Sequence, residues 1–227
     1  MIRHAARAVP WTRVVVAAVL VLALMELVRR WPWSMWPLEG AAVGVLAGAA
    51  AWCLDEPSAA VVDAAPRGLA WRTVARGPAV LLLLAVWGTA VWWAGDSLFG
   101  QRWDVGLHGV VAVAAAMAWT SWRRAAGAAR PGSILAVGVL PLATAWALVR
   151  PLEGTLPVFP YGPGAGAGWE TSRAGWLVVG IGAVVLLVAT LADGRWWPVS
   201  RRAATWGVPP LPPTGDRGGQ RSPILPQ

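Results

Sequence analysis

The chain has 227 residues, 57% hydrophobic and only 13% charged, whereas a soluble domain carries roughly 25% charged residues. That balance excludes an ordinary soluble enzyme and predicts an all-α, polytopic helix bundle embedded in a membrane. The net charge of +8 would suggest nucleic acid as the partner of a soluble protein, but here the charges fall in short connections between apolar segments, so they set orientation and no nucleic-acid partner is expected.

Each span needs about 20 apolar residues, and six segments meet that need, at 13–29, 37–54, 78–94, 105–122, 132–149 and 174–192. The lead-in MIRHAARAVPWTR is basic and the first apolar run resembles that of a signal peptide. No A-x-A cleavage pattern follows, and Arg29 and Arg30 close the run, so an uncleaved anchor is expected. Glu26 stands three and four residues before those arginines, the spacing at which helical side chains meet. A local ion pair is the expectation, with a substrate or proton site as the alternative.

The second span carries Gly40, Gly44 and Gly48 at intervals of four. This puts three small residues on one face, where another backbone can approach closely. The small-residue run VVAVAAAMA of the fourth span is a candidate partner. Cys53, the single cysteine, permits no intrachain disulfide and no cysteine metal cluster.

Between spans two and three lies DEPSAAVVDAAPRGLAWRTVARGP, acidic at its start and basic at its end. Asp55 is expected to cap a short helix begun by Glu56 and Pro57, which Pro66 ends. Arg72 and Arg76, four apart beside Trp71, would give a surface helix a cationic side, and Gly77 and Pro78 would start the third span. In the fourth span, Asp104 and His108 are also four apart; as titratable groups near the outer boundary they form a candidate polar site. An interfacial pairing of the two is the simpler expectation. The connection RPLEGTLPVFPYGPGAGAGWETSRAG is too rich in Gly and Pro for well-formed re-entrant helices. Residues 207–227 form a Pro-rich tail, expected to be disordered, after a transmembrane domain over 1–206.

Fourteen of the nineteen arginines fall in the N-terminal lead-in, the second and fourth connections and the tail. Both termini are therefore expected on the cytoplasmic side of the cell membrane. Most of the eighteen tryptophans fall at predicted span ends, Trp169 and Trp176 among those assigned to the outer interface and Trp87 being a mid-span exception. No catalytic constellation is recognised. The chain has no lysine for a Walker A loop, and H-E-x-x-H and G-x-S-x-G are absent. Neither cofactor nor metal is expected.

This basic lead-in, the six spans, the cytoplasmic termini and the DEPSAAVVDAAPRGLAWRTVARGP segment together resemble the membrane subunits of bacterial ABC-2-type exporters. The resemblance implies a non-catalytic permease, paired with a second permease of the same or a related kind and driven by a separate cytoplasmic ATPase. It further implies that Asp55, Glu56, Asp63, Arg67, Trp71, Arg72 and Arg76 form the loop that docks on that ATPase. Two other functions fit the residues: a secondary transporter using Glu26 or His108 as proton carrier, and a non-transporting scaffold or assembly factor.

Overall fold

The computed structural model describes residues 9–55, 69–152, 155, 157–163 and 168–192. They form six long helices: α1 (Trp11–Arg30), α2 (Met35–Cys53), α3 (Leu69–Trp93), α4 (Arg102–Ala125), α5 (Pro131–Val149) and α6 (Trp169–Ala192). Single 3₁₀ turns, Pro32–Ser34 and Gly95–Ser97, tighten two of the connections, and no strand occurs among the described residues. The tail at 207–227 lies outside them.

Five of the helices are long and apolar enough to cross a membrane. The exception, α2, contains Pro37, Glu39 and three glycines, and most of its residues are buried. It sits centrally, against α1, α3, α4 and α5, and needs little apolar surface of its own. The outer helices show the reverse. On α6, Val178, Ile181 and Val185 are each more than 60% exposed, an apolar face that suits lipid rather than water. The fold is a helical membrane bundle.

The glycine stripe of α2 is a contact surface, and its partner is α5 rather than the fourth span. A Cβ placed on Gly40 would lie 2.5 Å from Ala147 Cβ and 2.8 Å from the Ala143 carbonyl; one on Gly44 would lie 3.0 Å from Leu140 Cα. Gly48 meets Ala136 at 3.3 Å. Small residues at one face let two backbones approach in a way that larger ones prevent. The helix carrying the small-residue run, α4, packs more extensively on α6 than on α2.

Two expectations about the second connection change. The third span begins well before Pro78: α3 (Leu69–Trp93) continues through Gly77 and Pro78, so Trp71, Arg72 and Arg76 lie within it. A Gly-Pro pair reads as a helix start because proline lacks an N–H, yet membrane helices tolerate internal proline where neighbours satisfy the freed groups. The short helix expected over 56–66 lies outside the described residues, and Asp55 caps a distant helix. Its Oδ1 accepts from Gly132 N–H at 2.7 Å and its Oδ2 from Ser133 N–H at 2.6 Å. The Ser133 hydroxyl also donates to Oδ2 at 2.5 Å, and itself accepts from Trp52 Nε1 at 2.8 Å. The reason is local: Arg130, the residue preceding α5, makes no side-chain cap. An acid from the end of α2 therefore takes the free amides of α5, which the helix dipole also favours. Gly132 permits this approach, since a Cβ there would lie 2.1 Å from the Ala51 carbonyl oxygen. Asp55→Ala is expected to lower stability by about 1–2 kcal/mol, the cost of a lost cap. Asp55→Asn should recover part of it in thermal melts of the purified protein.

Candidate functional site: a buried polar centre

At the opposite end of the bundle from Asp55, four segments converge on one imidazole. His108 lies in the second turn of α4, Glu39 in the second turn of α2 and Ser172 in the first turn of α6. All three are essentially inaccessible, His108 at 0% and Glu39 and Ser172 at 1% exposure. The fourth segment, 157–163, is non-helical and folds against the bundle, with Phe159 buried. Irregular backbone at such depth is tolerated where protein rather than lipid surrounds it.

The three side chains form a chain of hydrogen bonds. His108 Nδ1 stands 2.6 Å from Glu39 Oε1, and His108 Nε2 stands 3.3 Å from Ser172 Oγ. The Ser172 hydroxyl reaches the Val158 carbonyl at 3.2 Å, which also accepts from Trp176 Nε1 at 2.9 Å. Two proton arrangements satisfy this order. With protons on both ring nitrogens, His108 donates to Glu39 and to Ser172, and Ser172 donates onward to Val158. With Nε2 bare, Ser172 donates back to the ring. Moving between them exchanges one proton and rotates one hydroxyl.

Aromatic rings close the centre. Trp176 stacks on His108 at 5.0 Å between centroids, Trp169 lies parallel to it at 6.4 Å and Phe159 meets it edge-on at 5.9 Å. Trp169 is anchored through Nε1 to the Gly162 carbonyl at 3.0 Å. Thus Trp169 and Trp176, expected as interfacial anchors, serve as walls. Trp31, Trp33, Trp92, Trp93 and Trp103 do stand exposed. Glu39 Oε2 is buried and has no hydrogen-bond partner, an uncommon state for a buried carboxyl oxygen.

Asp104 does not pair with His108. Its carboxylate takes a bidentate contact from Arg173, Nε to Oδ1 at 2.5 Å and Nη2 to Oδ2 at 2.8 Å. This fork lies one turn from His108 on α4 and next to Ser172 on α6, fixing the two helices that carry the centre. Beneath the aromatic roof runs an apolar groove of about 440 Å³, between Ala112 and Ala116 of α4 and Val139 and Trp146 of α5. Val43 and Ala47 of α2 form its floor, and Phe159 and Trp176 separate its upper end from His108.

The other predicted residues lie apart. Glu26 makes the local pair expected of it: Arg29 donates to both its oxygens at 2.7 and 2.8 Å and Arg30 to one at 2.8 Å. Of the supposed docking loop, Glu56, Asp63 and Arg67 lie outside the described residues. Asp55 is committed to α5, and Arg76 Nη1 donates to the Leu54 carbonyl at 3.2 Å, tying α3 to the end of α2. Sequence reasoning missed Glu39, Ser172 and Arg173 as site residues. Glu39 carried a readable signal, the lone charged residue in an apolar span. Ser172 and Arg173 carried none, for they belong to a polar connection until α6 places them.

Among the described residues no group of three His, Cys, Asp or Glu side chains gathers as a metal site. No protein-family model, no curated protein and no solved structure matches the chain.

Proposed function

We propose that the chain is a proton-coupled membrane transporter, with the Glu39 and His108 pair as the proton site and an apolar or amphiphilic molecule as substrate. The observation that carries this reading is the pair itself. An ionisable residue inside a membrane bundle is costly, and its default explanation is function. Here two titratable groups share a hydrogen bond at full burial, and the second carboxyl oxygen is free to take a proton or a substrate donor. One turn from His108 on α4, Asp104 is paired with Arg173 rather than with the imidazole. The groove beneath the roof supports an apolar substrate, and displacement of Trp176 or Phe159 would join it to the proton site.

The test is transport by the full chain in liposomes, with ethidium and Nile red as fluorescent probes. Wild type should move at least one dye when a pH gradient is imposed and stop when a protonophore collapses it. Glu39→Gln keeps the shape and one hydrogen bond while removing the titrating group. It should lose gradient-driven movement at least about tenfold, with stability changed by only about 1 kcal/mol. Undiminished movement by that variant would remove the pair from the mechanism.

A second reading, the ATPase-driven permease, is favoured by the arginine-rich end of the bundle, where Arg72 and Arg76 open α3 and Arg123 and Arg124 close α4. It requires a cytoplasmic ATPase and a second permease as partners. Co-purification of an ATPase, with dye movement that needs ATP and ignores the pH gradient, would select it.

A further inference from the structure

A second groove, of about 300 Å³, runs along the arginine-rich end between α1, α2 and α5. Val16, Ala17 and Leu20 of α1, Ala49 of α2 and Leu140 of α5 give it an apolar lining, with Arg13 and Trp52 at its mouth. The Arg13 guanidinium lies 4.5 Å over the Trp52 ring. Trp52 is in turn fixed, donating to Ser133, whose hydroxyl and amide are held by Asp55. The cation therefore rests on an anchored platform. Asp55 directs its oxygens to three donors on α5, and among the described residues no carboxylate pairs with Arg13.

We infer that this groove holds one anionic phospholipid, its phosphate on Arg13 and an acyl chain along α1 and α5. The chemistry selects that occupant. A guanidinium fork matches phosphate oxygens bidentately, a basic pocket between membrane helices suits an anionic head group, and beyond Thr12, next to Arg13, the rest of the lining is apolar and offers nothing to a soluble anion. A zwitterionic lipid would bring a choline to the same cation and lose the charge complementarity. This inference is independent of the proton reading.

Native mass spectrometry of the full chain in detergent, titrated with dioleoyl phosphatidylglycerol or dioleoyl phosphatidylcholine, tests it. Wild type should retain one phosphatidylglycerol about tenfold more tightly than phosphatidylcholine, the size of one charge-assisted contact. Arg13→Gln should abolish that preference, while Arg13→Lys should keep part of it. Arg123→Gln removes a charge at the same end but outside the groove, and should retain the preference in full. Equal loss in Arg13→Gln and Arg123→Gln would mean diffuse attraction and overturn the site. Equal retention of both lipids by wild type would do so too, as would displacement of the lipid by glycerol phosphate at similar concentration, since the acyl groove would then contribute nothing. Arg13 is exposed on α1, and a melting temperature near that of wild type in lipid-free detergent certifies that the Gln variant is folded.

Discussion

His108→Leu is expected to destabilise the bundle by about 3–5 kcal/mol, the cost of breaking a buried pair and leaving one partner alone. Glu39 would lose the donor at 2.6 Å, and its other oxygen already lacks one. Glu39→Leu should cost a similar amount, because His108 Nδ1 would then face Trp169, Trp176 and Phe159 with no acceptor. The double Leu variant should be more stable than either single one, since two apolar side chains of suitable size leave no orphaned polar group. Thermal or detergent-denaturation melts of the four proteins give the coupling directly. Additive losses would show that the two side chains are not energetically linked. This cycle separates structure from chemistry: the double Leu variant restores packing and still cannot carry a proton, so recovered stability without recovered transport is the expected outcome.

Gly109→Ala should cost about 1–3 kcal/mol, the usual range for overpacking a tight core. A Cβ at Gly109 would fall 2.2 Å from Trp87 Nε1 and 2.3 Å from Trp87 Cε2. The indole cannot simply move aside. It is 1% exposed, and its Nε1 donates to the Gly106 carbonyl at 3.1 Å, one turn earlier on α4. Trp87→Leu makes room, so the double variant Trp87→Leu, Gly109→Ala should be more stable than the sum of its parts predicts. A melt of Gly109→Ala indistinguishable from wild type would mean that α3 and α4 are not packed this closely. The neighbouring His108 gives the contact a functional consequence: a shift of α4 here would misplace the ring relative to Glu39.

The two ends of the bundle carry different chemistry. Cationic residues gather at the Asp55 end, Arg13, Arg72 and Arg76 among them. The titratable pair lies at the other end, under Trp169 and Trp176. Asp55 joins α2 to α5, and Asp104 joins α4 to α6. Each uses one carboxylate where a helix would otherwise lack a cap or a cross-link. Asp55, which looks like part of a docking face in the linear chain, is thereby spent inside the bundle.

What the sequence by itself determined is the membrane class, the helix positions and the small-residue face of α2. Hydropathy is a property of consecutive residues, and a helix must satisfy its own backbone in lipid, so span length and location follow from local composition. Glycine at every fourth position likewise fixes a face without reference to a partner. The Glu26 pair was legible for the same reason, its partners being three and four residues away. Only the tertiary structure decided which helices met. It set Glu39 beside His108, Arg173 on Asp104 and Asp55 on α5, each joining residues separated by 69 to 78 positions. No local pattern encodes such contacts, because between apolar helices in lipid the choice of neighbour rests on shape and on the few polar groups that must find one another. His108 therefore turned from the acid four residues before it to an acid on another helix, since Asp104 had a guanidinium to meet and Glu39, buried in the central helix, had none.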